Sequence, residues 1–461
     1  MRNKIIIGLG LLWWGCQPAP SPVVHAFLGG QIINPASEII TLYAHDQPLN
    51  VLRMSDQNRF EKHFPQAPNT LLRFEHLPET QTLLLEAGDS IWLRGNMSDF
   101  TGSVVFSGAG AAKNNFLANQ MLAHEKERSF LARKYPLSSG DFRHIIDSLR
   151  SEKAALWEDF QQQHPALSPL SEKVLQAAYQ YPYANRLERY ALIRGKAAVA
   201  TDSAFFDYRK SLNFNEKELA FYEPYITYLM SYLSLEALPE GSTFMQAKKT
   251  TDFNLQRLAL IAEKVQDSTL RNVLTRSVAY EELLNFDNHN QHAAFLEAVF
   301  ALNASGANRD ELINFHADLN QMNSGTLLPI ADLQTHENEK VASSVAFFGQ
   351  TTVLYFWSQT QMNHYKRIQS RVANYQQRFP KIRFVGLCIQ PYNDMVRDYQ
   401  DIMQIDPKDQ YALLDFEKVS SNWVITALNK GIILDKRGRI IDGFGDFMSD
   451  DFAAQLEKLE R

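Results

Sequence analysis

Thr351-Thr352-Val353-Leu354-Tyr355-Phe356-Trp357-Ser358-Gln359-Thr360-Gln361-Met362-Asn363-His364 is the stretch whose reading decides how the end of the chain folds. Residues 353–357 are apolar, β-branched or aromatic at every position, as suits a central strand covered on both faces. Past the turn, Met362, Tyr365, Ile368, Val372, Tyr375 and Phe379 recur at a spacing that winds one face of a helix. Residues 381–389 read as a second strand, so strand, crossover helix and strand make a parallel βαβ unit. A helix is then expected over about 393–403, and a hairpin from 431–435 to 439–441 across Lys436-Arg437-Gly438. Ser449 can cap a last helix with Phe452, Leu456 and Leu459 on one face. The predicted order is β-α-β-α-β-β-α.

That order is the thioredoxin order, and the opening stretch resembles the active-site element of thioredoxin-like thiol–disulfide oxidoreductases of the TlpA-like kind. In those proteins an apolar strand ending in Phe-Trp precedes Cys-x-x-Cys at the start of the helix. Here Phe356-Trp357 is present, but the cysteine positions hold Gln361 and His364. The hairpin Leu434-Asp435-Lys436-Arg437-Gly438-Arg439-Ile440 is similar to the family's closing hairpin. The resemblance also implies a cis-proline before it; counting back from Asp435, that position is Asn429. A cis peptide is largely a proline property, so a differently shaped loop is expected there.

Disulfide exchange needs a thiolate, stabilised at a helix N-terminus, and a second thiol to resolve the mixed disulfide. Gln361 cannot be a thiolate and His364 cannot form a disulfide. The chain has two cysteines, Cys16 and Cys388. Cys388 lies in an apolar strand three residues before Pro391, where a buried small hydrophobe is expected. Alone it could form a mixed disulfide but not resolve one. Near His364 the sequence supplies no carboxylate or second histidine for a metal site or a catalytic base. Gly-x-Ser-x-Gly and His-Glu-x-x-His signatures are absent.

At the other end, Arg2 and Lys4 precede an apolar run over 5–14, then Gly15-Cys16. This resembles a bacterial lipoprotein signal, with Trp13 as a departure, and implies lipidation at Cys16. Residues 1–15 are therefore expected to be the signal peptide and 16–26 a Pro-rich tether, anchoring the chain in a bacterial envelope and facing the periplasm. A formal charge of -6 over 461 residues argues against a nucleic-acid surface.

Between the ends, 27–112 reads as short strands and turns, a β-sandwich, with Gly88-Asp89 as a hairpin turn between strands. Gly108-Ala109-Gly110-Ala111-Ala112-Lys113-Asn114-Asn115 suggests a phosphate loop but lacks the Gly-Lys-Ser/Thr ending; a glycine-rich exit into a helix is expected. This pair of motifs is similar to the N-terminal β-domain of TlpA-like lipoproteins. Residues 113–324 carry helical periodicity, and 325–461 form the thioredoxin-like domain. Tyr225, Tyr228 and Tyr232 fall at helical spacing and suit packing better than a ligand platform. Asp287, His289 and His292 are a weak metal candidate, and a solvated loop is the better reading.

The fold class is thus multidomain: an N-terminal β-sandwich, an all-α middle and a C-terminal α/β thioredoxin-like domain. The leading functional expectation is an envelope lipoprotein that binds peptide or envelope-protein partners through a redox-inactive thioredoxin-like domain, with no cofactor or metal. The alternative is a thiol–disulfide oxidoreductase in envelope redox homeostasis, using Cys388 or an active partner. A third is a ligand-binding protein working through the aromatic helical middle.

Overall fold

The computed structural model describes residues 24–35, 37–77, 79–285, 291–302, 306, 308–359, 361–392, 396–397, 400 and 405–460. The signal, most of the tether, Cys16, Asp287, His289 and much of the helix expected over 393–403 lie outside them.

The first unit has eight strands: β1 (Ala26–Ile33), β2 (Ile39–Ala44), β3 (Gln47–Arg53), β4 (Arg59–Phe64), β5 (Thr70–His76), β6 (Glu79–Leu85), β7 (Ser90–Asn96) and β8 (Val105–Ala109). They form two four-stranded sheets, ordered β4-β1-β7-β8 and β3-β2-β5-β6. Leu28, Ile32 and Ile91 from one sheet meet Leu42, Phe74 and Leu83 from the other in one apolar core. Alternation puts every second residue of each strand there.

Gly88-Asp89 is not a hairpin, contrary to the sequence reading. β6 pairs with β5 and β7 pairs with β1 and β8, so the turn carries the chain from one sheet to the other. Gly88 supplies the left-handed backbone, φ +88°, and Asp89 Oδ2 accepts from the Glu86 amide at 2.7 Å.

Helix α1 (Ala111–Ala132) leaves the sandwich through the glycine-rich exit. A Cβ on Gly110 would overlap Asp89 Oδ1, and one on Gly108 would overlap the Ser90 carbonyl. The asparagines behind the glycines act as one-residue strand partners. Asn114 Oδ1 accepts from the Leu84 amide at 2.7 Å, and its Nδ2 donates to Leu84 O at 2.9 Å. Asn115 does the same to Phe106, at 2.8 Å in both directions. Lys113 Nζ reaches Glu86 at 2.6 Å and Asp89 at 2.8 Å. The loop holds its own carboxylates, and its glycines serve close packing.

The middle is helical, including α2 (Ser139–Gln163), α3 (Pro169–Arg194), α4 (Glu223–Ala237), α5 (Thr251–Lys264), α6 (Ser268–Leu283), α7 (His292–Leu302) and α8 (Arg309–Gln321). Tyr179, Tyr181, Tyr183, Tyr190, Tyr222, Tyr225 and Tyr228 are all buried. Tyr181 meets Tyr225 edge-on at 4.7 Å, and the hydroxyls of both donate to Asn213 O. They pack helices together.

The last unit contains β9 (Asp332–Gln334), β10 (Lys340–Ala342), β11 (Thr352–Trp357), α9 (Met362–Arg378), β12 (Arg383–Cys388), β13 (Gln410–Leu413), α10 (Phe416–Asn422), β14 (Lys430–Leu434), β15 (Ile440–Asp446) and α11 (Asp450–Glu460). Its seven-stranded sheet runs β10-β9-β13-β12-β11-β14-β15, with β11, β12 and β13 parallel and β14 antiparallel to β11. This is a thioredoxin-like arrangement. The strands β9, β10 and β13 and the short helix α10 extend the expected order. β11 separates two cores: Leu354 and Phe356 join the large core shared with the helical middle, while Val353, Tyr355 and Trp357 pack against α9 and α11.

Asn114→Ala would strip partners from the buried Leu84 amide and carbonyl. It is expected to lower the unfolding free energy by roughly 2–4 kcal/mol. Denaturant titration against the exposed control Asn374→Ala tests this, and an unchanged midpoint would refute the clamp.

Candidate functional site

The place where β11 meets α9 is built without cysteines among its described residues. Trp357 and Ser358 are fully buried. The indole stacks on Tyr365 at 3.9 Å between centroids and lies 6.2 Å from the Tyr392 ring. Gln361 is exposed at the N-cap of α9, where its side chain makes no capping hydrogen bond. One turn on, His364 Nε2 meets Asn429 Oδ1 at 2.9 Å. The two positions singled out in sequence, 65 residues apart, therefore touch.

Asn429 sits just before β14, and its carbonyl accepts from the Phe447 amide at 2.7 Å. In the neutral tautomer that donates from Nε2 to this carbonyl oxygen, Nδ1 is an acceptor. Nδ1 is buried without a hydrogen-bond partner among the described residues. Among the described residues no carboxylate orients this imidazole, and so none completes the dyad that makes a histidine an effective base. No group of three metal-ligating side chains occurs among the described residues. His292, from the sequence-stretch metal candidate, is buried in α7 with Nε2 3.2 Å from Asn285 O and its ring 5.7 Å from that of His316.

Cys388 lies beside Trp357 in register, fully buried at the end of β12. Its Sγ is 3.6 Å from both Gln359 Nε2 and Gln390 Oε1. Those glutamines close over it: Gln390 Oε1 accepts from the Gln359 amide at 3.1 Å, and Gln359 Nε2 donates to Pro391 O at 2.5 Å. Burial pushes the thiol up to about 12, against smaller lowering by hydrogen bonds from Gln390 and Gln359. At neutral pH it is a protonated, enclosed thiol, the opposite of a reactive cysteine.

Sequence reasoning passed over Lys430. Helix α10 ends with Val424 at φ +49°, an uncommon conformation for a β-branched residue, and Ile425 N donates back to Ser420 O at 2.8 Å. Lys430 Nζ donates to Val424 O at 2.9 Å and lies 4.6 Å from the Phe444 ring centre. Burial lowers its pKa from the ordinary 10.5 to about 7, against a raising influence from Asp442. A lysine inside a Leu-Asn-Lys-Gly run gives no sequence signal of such burial.

No family model matches the chain, and no curated protein matches it. Solved structures do, over about 30% of its length. The thioredoxin domain of a thiol-disulfide oxidoreductase from Bacteroides vulgatus is 15% identical, covering 30% of this chain and 99% of that one, with a TM-score of 0.26. A thiol-disulfide oxidoreductase from Bacteroides fragilis is 18% identical over 29% of this chain and 99% of its own, with a TM-score of 0.23. An exposed lipoprotein thioredoxin from Streptococcus pneumoniae is 12% identical over 28% and 99%, with a TM-score of 0.22. At this distance the likenesses carry no chemistry across, and the functional reading rests on the side chains above.

Because folded Lys430 loses its proton near pH 7 and the unfolded lysine only near 10.5, the unfolded chain binds more protons between them. Stability conferred by this group therefore rises with pH across that window and is lost as pH falls through about 7. Denaturant unfolding of wild type and Lys430→Met should show wild type gaining on the variant as pH rises; a constant difference would contradict the buried neutral amine.

Proposed function

We propose that this chain is an envelope lipoprotein whose thioredoxin-like domain has exchanged thiol chemistry for binding of peptide or envelope-protein partners. The observation that carries the reading is the His364–Asn429 hydrogen bond, which joins the positions where the resemblance implies a resolving cysteine and a cis-proline. The enclosure of Cys388 supports it from the other side, since a thiol pushed up to about 12 is a poor nucleophile. A retained, fully packed sheet around an emptied site is what a binding role requires: a rigid frame with no turnover. Among the described residues no helix is long and apolar enough to cross a membrane, so attachment in this proposal rests on a lipid at Cys16.

The full chain should show no turnover in a dithiothreitol-driven disulfide reduction assay. Its Cys388 should label with a maleimide at least about a hundredfold more slowly when folded than in denaturant, as opening of a stable core demands. Fast native labelling together with turnover that Cys388→Ala abolishes would instead establish a one-cysteine oxidoreductase. Anchoring is tested separately by metabolic labelling with a radioactive fatty acid: wild type should take up label and Cys16→Ser should not. Equal labelling, or none, would remove the lipid anchor.

A further inference from the structure

A cavity of about 350 Å³ opens where the sandwich, α1, α3 and α4 meet, far in sequence from the emptied redox position. Helix α3 has Pro182 in its interior. Proline has no amide hydrogen and cannot close the bond to the carbonyl four residues earlier, which belongs to Ala178. His124 Nε2 from α1 takes that carbonyl at 3.1 Å. Both Pro182 and His124 line the cavity, so its wall is braced across two helices at the point where the helical ladder is interrupted.

Three guanidinium groups line the same cavity: Arg128 from α1, and Arg186 and Arg189 from α3. None makes a hydrogen bond or ion pair with another described residue. Other arginines of the helical region divide: Arg209 pairs with Glu188 at 2.6 Å and Arg143 with Asp202 at 2.7 Å, while the side chains of Arg133 and Arg194 have no hydrogen-bond or ion-pair partner among the described residues. The carboxylate in the cavity lining, Glu223, accepts from Thr227 Oγ1 at 2.7 Å. The helix it begins, α4, has Tyr222 at its N-cap with no side-chain capping bond and Pro224 in its first turn. The positive end of a helix dipole is thereby added to the positive wall.

The second, independent sign of a ligand is Gln120. It is 4% exposed, lines the cavity, and its Oε1 has no hydrogen-bond partner among the described residues. A buried amide oxygen left unpaired costs free energy that a donor arriving from a ligand would recover. Leu117 and Met121 supply an apolar surface next to it.

We propose that this cavity binds a small organic anion, a carboxylate or a phosphate monoester, with its charge on Arg128, Arg186 and Arg189 and a donor group on Gln120. The volume suits a compact metabolite-sized molecule. The guanidinium fork fits either oxyanion, so the experiment separates the two.

Isothermal titration of the full chain with phenyl phosphate, 4-hydroxybenzoate, inorganic phosphate and benzyl alcohol tests this. At least one of the two organic anions should bind one to one, weakened by salt, and the one that binds names the oxyanion. Benzyl alcohol should not bind, and Arg186→Gln/Arg189→Gln should weaken binding at least about tenfold. Gln120→Leu should weaken it without changing the salt dependence. Circular dichroism melts check that the variants fold; the two arginines are not fully buried, so their substitution leaves the core intact. Absence of binding by both organic anions at millimolar concentration, or binding unaltered in the double variant, overturns the proposal. Cys388 labelling should be the same in the double variant, which keeps this outcome separate from that of the redox-inactive reading.

Discussion

Burial of β11 on both faces is the constraint on which the last unit depends. Every residue from Thr352 to Trp357 is buried. With water excluded, each backbone amide and carbonyl of that strand must find a strand neighbour, and β12 and β14 provide them in parallel and antiparallel register. The side chains then divide by parity. Leu354 and Phe356 tie the sheet to the helical middle, while Tyr355 and Trp357 face α9 and α11. The Tyr355 hydroxyl shows how tightly the second face is satisfied, accepting from Gln410 at 2.8 Å and from Gln369 at 3.1 Å. Such a strand delivers its end to one position only. The geometry of that position is held by the packing.

The junction between sandwich and helices uses a different device. Glu86 receives Lys113, Ser168 and Ser171, joining the turn after β6 to α1 and to the start of α3. Burial by itself raises the Glu86 carboxyl, but the hydrogen bonds from Lys113, Ser168 and Ser171 outweigh it and hold the group below the usual carboxylate range. Asp89 shares the same lysine with fewer donors, and there burial prevails and pushes the carboxyl up. One ammonium between two carboxylates therefore leaves the better-bonded one firmly ionised. Removing the lysine would strand two buried acids, so the cluster specifies how the units join more than it stabilises them.

What was legible in the sequence followed from periodicity. The unbroken apolar run over 353–357 can only be a doubly covered strand, and the spacing of Tyr225 and Tyr228 does place both in a packed helix. What failed was pairing. Gly88-Asp89 announces a turn, but a turn residue reports backbone shape and not which strand receives the next one, so a crossing between sheets was read as a hairpin. β13 is four residues long and β9 and β10 three each, too short for alternation to register. At the site, the contact of His364 with Asn429 was approached only through the family resemblance; no property of either residue alone foretells it. Lys430 and the arginines around Pro182 were invisible because burial and convergence are properties of packing.

The residues at the start of α9, none of them a cysteine, set the physics of the position as well as its reactivity. A cysteine pair at a helix start is useful because the dipole and solvent access keep one thiolate available. Gln361 keeps the exposure but brings a neutral amide, and His364 turns inward to Asn429. The polar atom left there, His364 Nδ1, is buried, and it accepts in the neutral tautomer that donates from Nε2. Its unmet hydrogen bond is a desolvation cost that the surrounding packing carries. Buried as it is, that nitrogen offers no contact to a docking partner while the packing around it holds. Affinity for any partner at this end of the chain would have to come from the apolar area around that position.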